Sequence, residues 1–166
     1  MTQELEVRLQ VIEDTEAINN LKATYCYLVD AGVAGDASKL DELVDLFTDD
    51  ARCEYGDYAT LEGKEAIGQF YKEIIPSALS YSAHMVHNPI IEVNGDRAKG
   101  KWYFEAPCTF SALNRATWAQ GKYIEEYMKV DGIWKWKSLK VVFDYFTSFD
   151  KGWVTTKDLT RQLFPM

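Results

Sequence analysis

An α+β domain is the fold class this sequence predicts, on two observations. Helical apolar spacing dominates before Pro76, and β-rich stretches separated by glycine-bearing turns dominate after it. From Thr15, with Asp14 or Thr15 as the cap, Ile18, Leu21, Tyr25, Leu28 and Val29 recur at three and four residues and share one helix face. Gly32 or Gly35 ends that run. In SKLDELVDLF, Ser38 is placed to cap a second helix whose apolar face holds Leu40, Leu43, Val44 and Phe47. TDDA then turns into a strand near 52–55. A third helix, roughly 64–75, stops at Pro76, which offers no amide and clashes with the preceding turn.

Four long strands follow, at about 82–93, 98–110, 117–130 and 134–149. NGD at 94–96 and DG at 131–132 are hairpin signals that impose left-handed backbone angles, so neighbouring strands pair antiparallel. The helices are expected to pack on one concave face of a curled sheet. Residues 1–166 read as a single domain, with 14–149 as the core, 150–166 as a tail and 1–13 as an N-terminal extension. Leu5, Leu9 and Ile12 stand at helical spacing in that extension, which either prolongs the first helix or meets another subunit.

A share of 47% hydrophobic and 27% charged residues is that of a globular chain able to bury a core. Five Trp and ten Tyr are enough to line a pocket for a flat or greasy ligand, although ordinary sheet packing uses the same residues. A net charge of -8 repels phosphate backbones and anionic lipid headgroups, so neither nucleic acid nor a membrane surface is an expected partner. Cys26, Cys53 and Cys108 lack the CxxC spacing of zinc or redox sites and read as buried thiols. MTQELEVRLQ lacks the apolar run of a signal peptide, and no later stretch reaches about 18 apolar residues, so the cytoplasm is the expected location.

Histidine titrates nearest neutrality, which makes His84 and His87 the places to seek an acid or base. Three apart on a strand, they point to opposite faces, so at most one enters the interior. The same spacing is poor for one metal ion, and no carboxylate cluster completes a metal site. Asp30 ends the apolar face of the first helix. There it either caps or solvates the helix end, or turns inward and needs a partner, because an unpaired buried charge is costly. Imidazole is a suitable partner: a carboxylate on one ring nitrogen fixes the tautomer and frees the other nitrogen to take a proton. Tyr25, a little over one turn earlier, can edge the same cavity and donate its hydroxyl to an oxygen on which charge develops.

TYCYLVD, SAHMVHNPIIEV, GKWYFE and DGIWKWKSL, taken together over about 14–149, resemble the SnoaL-like branch of the NTF2-like superfamily. The likeness is closest to its bile acid 7α-dehydratases, and wider to scytalone dehydratases and hexachlorocyclohexane dehydrochlorinases. This resemblance implies a cone of strongly curved antiparallel sheet with N-terminal helices packed on it, an apolar pocket between them, and assembly as a homotrimer. It places His84 as the base, Asp30 as its dyad partner and Tyr25 as an active-site tyrosine. Two positions depart from the bile acid pattern: Ala106 stands for an aspartate and Phe143 for an arginine. Their loss points away from an anionic steroid and toward an uncharged aromatic or alicyclic substrate, with Tyr55, Trp102, Trp118, Phe143 and Tyr145 as its expected contacts.

The function these readings imply is a cofactor-independent lyase working by β-elimination, with water as the first leaving group to consider and chloride or formaldehyde as alternatives. No glycine-rich phosphate loop or ligand cluster calls for a cofactor or metal. An enone isomerase is the rival enzyme. A binding module or an oxygenase small subunit is the rival without catalysis, since a fold does not fix a function.

Overall fold

The longest element of the computed structural model, which describes residues 2–155, is helix α1 (Gln3–Val33). It begins well before the expected cap. Asp14 is buried in mid-helix, where it accepts from Trp134 Nε1 at 2.9 Å and pairs with Lys129 Nζ at 2.7 Å, so it ties the helix to the sheet instead of capping it. The stretch before Asp14 prolongs the helix with every side chain exposed, Leu5, Leu9 and Ile12 included. Ile18, Leu21, Tyr25, Leu28 and Val29 are buried, as their spacing requires.

Helix α2 (Ser38–Asp45) buries Leu40, Leu43 and Val44. Ser38 does not cap it, because its Oγ donates to Asp36 Oδ1 at 2.6 Å. Leu40 presses on α1 so closely that a Cβ at Gly32 would lie 2.1 Å from its Cδ2, which explains a glycine inside the helix. Strand β1 (Phe47–Tyr55) is longer than expected, and a short partner, β2 (Ala59–Glu62), follows it. Helix α3 (Gly63–Gln69) does not stop at Pro76. It passes through a π-helical turn (Phe70–Ile74) into α4 (Ile75–Ala78), and Pro76 sits in the first turn of α4, where a missing amide costs no helical bond.

Next come β3 (Leu79–Ser82), β4 (Met85–Asn94), β5 (Arg97–Phe110), β6 (Arg115–Val130), β7 (Ile133–Ser148) and the short α5 (Gly152–Thr155). Part of the expected tail, 156–166, lies outside the described residues. The seven strands run β2-β1-β7-β6-β5-β3, and β4 pairs with β5 along the same edge as β3. The sheet curls without closing. Its pairings are antiparallel except β1 with β7, which is parallel and so departs from the expectation of antiparallel neighbours throughout. Asp131 and Gly132 both take positive φ in the β6–β7 hairpin, as DG predicts.

The single strand expected at 82–93 is in fact two, broken at Ala83 and His84. Pro107 of β5 supplies the reason. Ala83 donates its amide to the Pro107 carbonyl at 3.1 Å, and a strand residue aims its own amide at the same neighbour as its carbonyl. Pro107 has no amide to return, so the ladder lapses opposite it and His84 leaves the sheet.

Alternation along β5 and β6 sends Trp102, Phe104, Ala106, Cys108 and Phe110, and Thr117, Ala119, Tyr123, Glu125 and Tyr127, to the concave face beneath the helices. Ile18, Leu43, Phe47, Tyr71 and Trp136 fill the core there.

Candidate active site

Where the core stops short of the open end of the cone, a cavity of about 100 Å³ remains between α1, α4 and the sheet. Val29, Ile75, Leu79, Phe104, Phe110 and Phe146 make most of it apolar. Its polar groups are few: His84, Ser82 and the tyrosines 25, 55, 58, 71 and 123.

His84 and Asp30 meet at the wall. Having left the sheet, His84 donates its backbone amide to Asp30 Oδ2 at 2.8 Å and its ring Nδ1 lies 2.7 Å from Asp30 Oδ1. Ser82 Oγ donates to the same Oδ1 at 2.6 Å. The Asp30 side chain is 26% exposed and that of His84 16%, so the pair is half-buried at the cavity rim. Burial pushes the Asp30 carboxyl up, but the bonds and charge of His84 and the bond from Ser82 outweigh it and hold the pKa below the usual carboxylate value. An ionised carboxylate only accepts, so Nδ1 carries the proton. Nε2 has no hydrogen-bond partner among the described residues.

Tyr25 packs edge-on to His84, ring centroids 6.1 Å apart. Its hydroxyl lies 3.0 Å from that of Tyr71, which also hydrogen-bonds the hydroxyl of Tyr55. Burial raises the pKa of all three phenols well above the ordinary value, so they stand as O–H groups at neutral pH. Behind this wall, Lys22 and Glu125 form an ion pair at 2.6 Å with both side chains fully buried. The Lys22 ammonium sits 3.3 Å from the Tyr123 ring centroid and 5.0 Å from that of Tyr25. Glu125 also accepts from Tyr127, whose oxygen accepts from Trp102 Nε1 at 3.0 Å.

The structure therefore brings His84, Tyr25, Tyr55 and Phe143 to one cavity, holds Asp30 against His84 without its lining the cavity, and leaves three expected contacts outside it. Trp102 faces inward but is spent on the core, bonded to Tyr127. Trp118 and Tyr145 lie on the convex face, where they pack with each other and with Trp153. His87 also faces outward, stacked on Tyr103. Ser82, Tyr71, Lys22 and Glu125 were not singled out by sequence reasoning. Ser82 alone had a signal, lying two residues before His84 and so on the same side of an extended chain.

Among the described residues no three His, Cys, Asp or Glu side chains cluster closely enough to hold a metal ion, and no helix is long and apolar enough to cross a membrane.

Three solved structures show how widely this architecture is shared. A candidate scytalone dehydratase of Novosphingobium aromaticivorans is 22% identical with a TM-score of 0.74, over 83% of this chain and 89% of that one. The hexachlorocyclohexane dehydrochlorinase LinA-type3 of Novosphingobium barchaimii is 21% identical with a TM-score of 0.75, over 87% and 95%. A candidate aromatic ring hydroxylase of Novosphingobium aromaticivorans is 25% identical with a TM-score of 0.73, over 82% and 94%. A family model described as the SnoaL-like domain matches residues 10–140, with the helix of Asp30 and the break at His84 both inside the match. The chain belongs to the SnoaL-like family.

Proposed function

We propose that this protein is a cofactor-independent lyase that removes a proton from an uncharged aromatic or alicyclic substrate and expels a β-leaving group. One observation carries the reading: a histidine whose Nδ1 is engaged by a buried-side carboxylate while the ring lines an apolar cavity. Nε2 takes a proton from the carbon next to a carbonyl, and Asp30 stabilises the imidazolium that forms. The electron pair of that C–H bond becomes the new C=C bond as the C–O bond to the β-hydroxyl breaks. The departing hydroxide then takes the proton from Nε2, giving water and the neutral histidine. Tyr25 lines the cavity beside His84 with its hydroxyl protonated and is the donor to the substrate carbonyl oxygen, where charge develops. Two structural neighbours bear the names of elimination enzymes, one a dehydratase and the other a dehydrochlorinase, in keeping with this reaction type.

The test uses 4-hydroxy-4-phenylbutan-2-one, a neutral β-hydroxy ketone whose loss of water yields a strongly absorbing enone. His84→Ala lowers turnover by about 10² to 10⁴, and Asp30→Asn is nearly as harmful. The two losses are non-additive, because either one disables the unit. If the double variant lost the product of the two single effects with its circular dichroism intact, His84 and Asp30 would be acting independently and the mechanism would fall. A second reading, a small subunit of a ring hydroxylase, draws on the 25%-identical neighbour of that name. Turnover by the isolated chain separates the two.

A further inference from the structure

The cavity at His84 is too small for the substrate class proposed above. A cavity of roughly 150 Å³ is needed to hold benzene, and pockets for larger ligands run to about 300–1,000 Å³. The space beside His84 is about 100 Å³. Directly outside it lies a cleft of about 580 Å³, between the β1–β2 turn and β7. The two spaces share Tyr58, Val141, Phe143 and Phe146 as lining. Tyr58 of the β1–β2 turn and Phe143 of β7 have ring centroids 6.2 Å apart, so these two aromatic rings form the partition.

The backbone places that partition deliberately. Phe143 pairs with Gly121 and Tyr145 with Gln120, so Asp144 is an extra residue bulging from β7. A Cβ at Gly121 would lie 2.1 Å from the Val142 carbonyl oxygen, so the bulge needs glycine opposite it. Phe143 keeps the inward parity of Leu139 and Val141 and stands half-buried at the mouth of the inner cavity, just before the bulge re-aims the residues that follow. The outer cleft is acidic: Glu54, Asp57 and Asp144 line it against Lys140 alone. Lys140 is held by Glu54 at 3.0 Å and Asp144 by Lys122 at 2.5 Å. Asp57 has no such partner among the described residues and is exposed to whatever enters.

We infer that the inner cavity and the outer cleft are one two-compartment substrate site, gated by Phe143 and Tyr58, for an elongated molecule whose ring lies at His84. Its tail lies in the outer cleft, and beside Asp57 it is neutral or positively charged and never anionic. The inference rests on the cavity at His84 being the substrate site, but the ring and the tail are assigned by space and charge. The joined space falls within the range of ordinary ligand pockets.

Isothermal titration calorimetry on the full chain tests this with phenol, 4-hexylphenol, 4-(6-aminohexyl)phenol and 6-(4-hydroxyphenyl)hexanoate. A six-carbon chain leaving water makes 4-hexylphenol bind at least about thirtyfold more tightly than phenol. Phe143→Trp thickens the partition and removes most of that advantage. Tyr58→Trp does the same from the β1–β2 turn, should the first variant fail to fold. At low salt the amine binds about fivefold more tightly than the carboxylate, and Asp57→Lys reverses the order. Equal affinity for phenol and 4-hexylphenol overturns the proposal. So does a tryptophan variant that keeps their original ratio, or an unchanged amine-to-carboxylate ratio in Asp57→Lys. Because every readout is binding, these outcomes are separate from those of the His84→Ala turnover test.

Discussion

Replacing Lys22 with methionine tests how the wall behind the tyrosines is held. The methionine keeps the length of the stem but removes the ammonium that lies 2.6 Å from Glu125 and over the Tyr123 ring. Both partners are fully buried, so the carboxylate left behind has no route to water. Breaking one side of a buried pair costs about 3–5 kcal/mol. Tyr127 still donates to Glu125, which places the expected loss near the lower end, about 3 kcal/mol. In a domain of this size that is a fall in Tm of roughly 6–12 °C. Urea unfolding followed by tryptophan fluorescence measures it. Lys22→Met/Glu125→Gln removes both charges and retains an acceptor for Tyr127, so it costs much less than the sum of the two single changes. A Lys22→Met variant within about 1 kcal/mol of the parent would refute the reasoning, as would strict additivity in the cycle.

Asp30 contributes stability with a definite pH signature. Its folded-state pKa lies below that of an ordinary aspartate, so the contribution is full above the ordinary value and is lost as pH falls through the folded pKa; Asp30→Asn flattens this part of the acid unfolding curve. Burial raises the thiols of Cys26 and Cys108 to about 11 and that of Cys53 to about 12, so Ellman's reagent at pH 8 finds them inert in the folded chain and all three reactive in urea. Gly121→Ala forces backbone apart at the β7 bulge and costs about 3 kcal/mol or more, read from the same urea curves; a shift under 1 kcal/mol would mean the bulge is free to move. Homotrimer formation, with the exposed Leu5, Leu9 and Ile12 of α1 among the surfaces to be covered, is tested by light scattering at micromolar concentration, where a monomer mass near 19.0 kDa would exclude it.

The parts of the fold written in local pattern were legible. The buried face of α1 follows from its apolar spacing, and the β6–β7 hairpin from Asp131 and Gly132. Long-range pairings were not: nothing near Cys53 announces a parallel partner at Leu139. Pro107 was visible in the sequence, but its effect falls on Ala83, across the sheet, and only there does it break a strand. At the site, the need of a buried carboxylate for a partner, together with the family resemblance, led to Asp30 and His84. Tyr71 reaches Tyr25 from 46 residues away, and no local spacing encodes that. Tyr145 is absent from the inner cavity and lines the outer cleft for a specific reason. Simple alternation would put it on the same face as Phe143, but the extra residue at Asp144 reverses the parity, and Phe146 turns inward instead.

The three bonds that Asp30 accepts do not all depend on imidazole. Ser82 Oγ and the backbone amide of residue 84 supply two of them. Exchanging His84 for another residue leaves those two in place, and the carboxylate goes on fastening α1 to the broken edge of the sheet. A lineage that abandons the chemistry therefore has reason to keep the aspartate long after the histidine has drifted. Under the proposed reaction the imidazole, and not the carboxylate, is the residue to compare across related sequences.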